Sequence, residues 1–94
     1  MELEEEKNEE LIKRLDKTVR KVIDMQMRGN EPPETREAFD RLLSLGFTES
    51  ECYEMIGRVV VDEFKNIFNK EQGFDIQRYA EKLERLPQPY AIKS

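Results

Sequence analysis

Apolar positions recur at helical spacing in four stretches of this chain. The strongest runs from Phe47 to about Lys70. Wound at about 3.6 residues per turn, Cys52, Ile56, Val59, Val60, Phe64 and Ile67 share one side. Tyr53, Met55, Val61 and Phe68 widen that stripe to more than half the circumference. A surface helix shows a narrower apolar face, so the breadth predicts a central helix over about 48–70, covered on several sides. Glu63 interrupts the pattern by projecting from the middle of the stripe.

The other stretches are shorter. From about Glu9 to Arg28, Leu11, Leu15, Thr18, Val22 and Met25 trace a seam, broadened by Ile12, Val19, Ile23 and Gln26. The opposite face is basic, with Lys13, Arg14, Lys17, Arg20, Lys21 and Arg28 relieved by Asp16 and Asp24. The pairs Glu9–Lys13, Glu10–Arg14 and Asp16–Arg20 stand four residues apart and suit a solvated face, though such a face also fits an acidic partner. Gly29 is placed to cap this helix in a left-handed conformation. Pro32-Pro33 opens a second helix, with Ala38, Phe39, Leu42 and Leu43 inward and Glu37, Asp40, Arg41 and Ser44 outward. Leu45-Gly46-Phe47 reads as a Schellman ending, with Gly46 left-handed and Phe47 folded back towards Leu42.

Thr48-Glu49-Ser50-Glu51 has the spacing of a capping box, and Phe47 and Cys52 stand at the positions of a hydrophobic staple. Glu71-Gln72-Gly73 breaks the third helix. Asp75 caps a fourth, with Phe74 and Tyr79 as a second staple. Ile76, Tyr79, Ala80, Leu83 and Leu86 are assigned inward, and Pro87 stops the helix. The expectation is an all-α, compact four-helix domain over residues 1–94, with helix three central. Residues 1–8 are an acidic, frayed lead-in and residues 88–94 an extended tail.

Composition narrows the function. Hydrophobic residues make up 37% and charged residues 39%, a polar balance, but the periodicity separates the chain from disordered sequences. No run approaches the roughly 18 apolar residues of a membrane span. The acidic start lacks the basic and then apolar character of a secretory signal. A net charge of −5 argues against nucleic acid as the partner. The single cysteine excludes an internal disulfide and suits a reducing cytoplasm. There is no histidine, which removes the commonest general base and metal ligand.

Carboxylates are the plentiful functional groups. Glu5-Glu6-x-x-Glu9 with Glu37-x-x-Asp40 has the outline of the magnesium-binding motif of all-helical nucleotide pyrophosphatases of the MazG type. That motif requires carboxylates converging on one cavity, whereas Glu37 and Asp40 fall on the outward face of helix two. Glu63, set among Ile56, Val59, Val60 and Ile67, should have a raised pKa unless an arginine or lysine reaches it. Its readings are a structural ion pair, a glutamate at a gap in the core where water enters, a ligand contact and a subunit contact. Gly57 costs about 1 kcal/mol inside a helix and is explained by close approach of another helix or of a ligand.

Pro32-Pro33-Glu34, Leu42 and Leu43 with Gly46, Glu51-x-x-x-x-Ile56, and Phe74-Asp75 with Tyr79 and Leu83 ahead of Pro87 carry a resemblance. The segment Gly29–Leu86 resembles a small bacterial all-helical domain family of unknown function, sometimes found beside a SEC-C metal-binding segment. Members often carry histidines on the first and third helices. The matching positions here are Asp16, Arg20 and Glu54, so the resemblance implies the helical fold and carries no histidine-dependent role onto this chain.

The resulting expectation is a small bacterial cytoplasmic protein that acts through protein contact, with no cofactor, metal, membrane or nucleic acid. A homodimer is the form expected if three short helices leave part of helix three, around Met55, Val61 and Phe68, uncovered. A magnesium-dependent nucleotide enzyme and an apolar-ligand binder with its site beside Gly57 and Glu63 are the alternatives.

Overall fold

The computed structural model describes the backbone of residues 2–70 and 73–88 and the side chains of residues 16–67 and 73–88. The chain forms four helices, α1 (Glu2–Gly29), α2 (Pro33–Ser44), α3 (Glu49–Lys70) and α4 (Ile76–Arg85). Among the described residues there is no strand, and no helix is long and apolar enough to cross a membrane. Helix α3 packs against all three others, as its breadth predicts. Helix α2 does so as well, so the two share the centre. Helices α1 and α4 make no backbone contact with each other and meet through side chains.

The boundaries follow local chemistry. The amide of Phe47 donates to the Leu42 carbonyl at 3.1 Å and that of Gly46 to the Leu43 carbonyl at 3.0 Å. Those two bonds define a Schellman motif, with Gly46 at φ +99. The capping box closes in both directions. The Glu51 amide donates to Thr48 Oγ1 at 3.1 Å, and the Thr48 amide donates to Glu51 Oε1 at 2.9 Å. Asp75 caps α4 by accepting from the amides of Gln77 and Arg78, both at 3.1 Å. The rings of Phe74 and Tyr79 lie 5.7 Å apart, completing the second staple. At the end of α1, Gly29 remains helical and Asn30 takes the left-handed position at φ +53, which asparagine tolerates. Helix α1 also takes in the glutamate-rich segment from Glu2. The side chains of that segment, the pairs Glu9–Lys13 and Glu10–Arg14, and the tail from Pro89 lie outside the described residues.

The core gathers Val19 and Ile23 from α1, Ala38, Phe39 and Leu42 from α2, Cys52 to Val60 from α3, and Tyr79, Leu83 and Leu86 around α4. Several faces differ from expectation. On α1 the buried side runs through Val19 and Ile23, while Thr18 is exposed and Met25 is 69% exposed. The reason is Gln26, whose Oε1 accepts from Thr35 Oγ1 and Tyr79 Oη, both at 2.8 Å. This amide joins α1, α2 and α4 and turns the helix away from the purely apolar seam. Leu43, Phe64 and Ile76, assigned inward, are exposed. Met55 is fully buried beneath the chain's own helices, so it offers no surface to a second subunit. Val61 packs half-buried on the core, and the side chain of Phe68 lies outside the described residues.

Gly57 is explained by packing. A Cβ at this position would meet Val19 Cγ1 at 3.1 Å, closer than ordinary contact, so α1 fills the space a ligand would need. In the wild type, the helix propensity that Gly57→Ala would gain, about 1 kcal/mol, is offset by this crowding. In a Val19→Ala background the gain appears in full. A double-mutant cycle from denaturant unfolding is expected to return a coupling of about 1 kcal/mol, and additivity would remove the close contact as the reason for glycine. Thr48→Ala is expected to lower stability by about 1 kcal/mol, and an unchanged melting temperature would count against the cap.

Candidate functional site

Glu63 faces the interior with its side chain 1% exposed. Helix α4 presents Arg78 and Lys82 to it, one turn apart. Arg78 Nε donates to Glu63 Oε1 at 3.0 Å and Nη2 to Oε2 at 2.7 Å, a bidentate grip. Lys82 Nζ lies 3.2 Å from Glu63 Oε1 and 2.8 Å from Asp62 Oδ2. The Arg78 guanidinium holds the Glu63 carboxyl below the ordinary glutamate range. It outweighs burial, which pulls the other way, and Lys82 adds to the lowering. Of the readings open for Glu63, the geometry is that of the structural ion pair.

The remaining sequence candidates do not converge on chemistry. Asp16 pairs with Arg20 at 3.9 Å. The Arg20 guanidinium lies over the Tyr53 ring at 4.9 Å and donates to Ser50 Oγ at 3.3 Å. Glu54 pairs with Arg58 at 3.4 Å. Glu37 and Asp40 are exposed on α2, with Asp40 3.8 Å from Arg36. Among the described residues no three acidic, histidine or cysteine side chains gather in a way that could hold a metal ion. The side chains of Glu5, Glu6 and Glu9 lie outside them. Cys52 is buried, and burial pushes its thiol up, away from nucleophilic thiolate.

Sequence reasoning missed a groove between the start of α2 and one side of α4. Pro32, Pro33, Ile76 and Ala80 supply its apolar surface, and Glu31, Glu34, Glu81 and Glu84 supply its charge. Ile76 is 52% exposed there. Glu34 Oε2 is covered by protein yet has no hydrogen-bond partner. Helix α4 builds this surface by dividing its faces. Tyr79, Leu83 and Leu86 enter the core, and Arg78 and Lys82 turn to α3. Ile76, Ala80, Glu81 and Glu84, spaced 0, 4, 5 and 8 residues along the helix, look towards α2. Arg41 fixes the far end of α4. Its Nη2 donates to the carbonyls of Leu83 at 2.8 Å, Glu84 at 3.2 Å and Leu86 at 3.2 Å, groups left open at a helix C-terminus. The Glu81–Glu84 spacing was the available sequence signal. Assigning Ile76 to the core concealed it.

Comparisons with family models, curated proteins and solved structures find no match to this chain.

Arg78→Met removes the bidentate partner of Glu63. The expected result is a clear loss of stability at neutral pH, smaller than for a fully buried pair because the Arg78 side chain is 29% exposed. The folded pKa of Glu63 lies below the unfolded value near about 4.3, so the pair's contribution is complete above that pH. It is lost as pH falls through the lower folded pKa. Denaturant titrations at pH 7 and at about pH 3 should therefore show the gap between the two proteins shrinking in acid. A gap of constant size would mean that Glu63 is not the group responsible.

Proposed function

We propose that this chain is a non-catalytic protein-interaction module whose docking surface is the groove between α2 and α4. The observation that carries the reading is the segregation of unpaired charge around exposed apolar surface. Among the described carboxylates that form no ion pair or hydrogen bond, Glu31, Glu34, Glu81 and Glu84 line this one groove, and only Glu37 and Glu49 lie elsewhere. Four like charges held together repel one another, and a cationic partner relieves that repulsion. Ile76 and Pro33 supply the apolar contact that makes such an encounter more than electrostatic. A symmetric homodimer across the groove is disfavoured, because its two-fold axis would set the glutamates of one copy against those of the other. A reducing cytoplasm suits the buried free thiol of Cys52.

A photo-crosslinking amino acid at position 76 tests the reading in cells, with the same group at exposed Lys65 on α3 as the control. Position 76 is expected to give discrete protein adducts that disappear when Glu81→Lys and Glu84→Lys are added. Equal labelling from positions 65 and 76, or adducts indifferent to the charge reversal, would overturn it.

A further inference from the structure

The unpaired cations are segregated as sharply as the carboxylates. Among the described residues, Lys17, Lys21 and Arg28 form no ion pair or hydrogen bond, and all three lie on the outer face of α1. Lys65 and Arg85 are the only other described cations in that state. At 100° per residue, positions 17, 21, 25 and 28 fall within about 80° of arc, opposite the buried Val19 and Ile23. Met25, 69% exposed, stands at one edge of this arc, between Lys21 and Arg28 along the helix axis. The two acidic residues that relieve this face in the sequence are committed elsewhere, Asp16 to Arg20 and Asp24 to the Tyr53 hydroxyl.

An apolar side chain with a cation one turn before it and another one turn after it is the complement of Ile76 among Glu31, Glu34, Glu81 and Glu84. Within one molecule none of these three cations pairs with those glutamates. The stripe lies opposite the buried side of α1, the groove opens beside α4, and the backbones of those two helices make no contact. We propose that the groove of one chain receives the outer face of α1 from a second copy, head to tail, with Met25 set against Ile76 and Pro33, and Lys17, Lys21 and Arg28 set against the glutamates. The proposal rests on reading the groove as a protein-docking surface, and it names the occupant. Each bound copy leaves one stripe and one groove free, so the contact is heterologous and propagates into open oligomers.

Purified wild-type protein, followed by sedimentation velocity from about 10 μM to about 1 mM at low salt, is expected to exceed dimer mass as concentration rises. Raising salt towards about 1 M should return it to monomer, because screening then acts over about 3 Å. Met25→Asp and Ile76→Asp alter exposed positions that the core does not use, and each alone should be monomeric across the range. Mixed, they should form a one-to-one dimer and nothing larger, since one retains the groove, the other retains the stripe, and each altered surface has a charge in place of its apolar contact. Circular dichroism confirms that both variants are folded. A wild type that stays monomeric at about 1 mM, or single variants that associate like the wild type, would overturn the proposal. If position 76 still captures other proteins in cells while the purified chain stays monomeric, the groove remains a docking surface and the second copy is not its occupant.

Discussion

The carboxylate of Glu63 is closed off from water in the middle of the apolar side of α3, and a charge in that position has to be paired where it stands. Meeting that requirement determines how α4 is held. A helix of 10 residues has little stability of its own, and α4 is fixed from three directions. Tyr79 and Leu83 anchor it in the core, Arg78 and Lys82 tie it to Glu63 and Asp62, and Arg41 gathers its last carbonyls. Buried ion pairs add little net stability over apolar groups of the same shape. A bidentate guanidinium adds direction, because it is satisfied at only one rotation of α4 about its axis. With the basic side committed to α3 and the apolar side to the core, Ile76, Ala80, Glu81 and Glu84 are left to face the start of α2. The groove is a consequence of how the buried charge is neutralised.

Helix ends were legible in the sequence and helix faces only partly so, for a physical reason. The Schellman turn at Gly46, the capping box from Thr48 to Glu51 and the Asp75 cap are each completed within six consecutive residues, so their chemistry is written locally. The faces depend on partners far along the chain. Gln26 reads as a polar edge residue until Thr35 and Tyr79, 9 and 53 residues away, are brought to it. Arg41 reads as a solvent residue until the end of α4 arrives. In both cases a polar side chain is drawn inward by unsatisfied polar groups that periodicity does not see. Glu63 was legible as an anomaly, and its partners were not, because Arg78 and Lys82 lie on another element and only the packing of α4 makes them neighbours.

The same internal accounting decides what the surface can do. A net charge of −5 describes an average over a molecule whose pairing is uneven. Where the fold needs charges it consumes them, in the Glu63 cluster and in short-range pairs such as Arg36–Asp40 and Glu54–Arg58. The residue of that consumption is an acidic groove beside α4 and a basic stripe on α1. At physiological ionic strength charges are screened beyond about 8 Å, so neither surface acts far into solution. Each is effective only against a partner close enough to touch, where exposed Ile76 and Met25 contribute as well. Contact with another polypeptide uses both features together, the apolar centre and the unpaired charges around it. A small polar ligand would leave the apolar centre exposed, and a purely apolar one would leave the charges unrelieved.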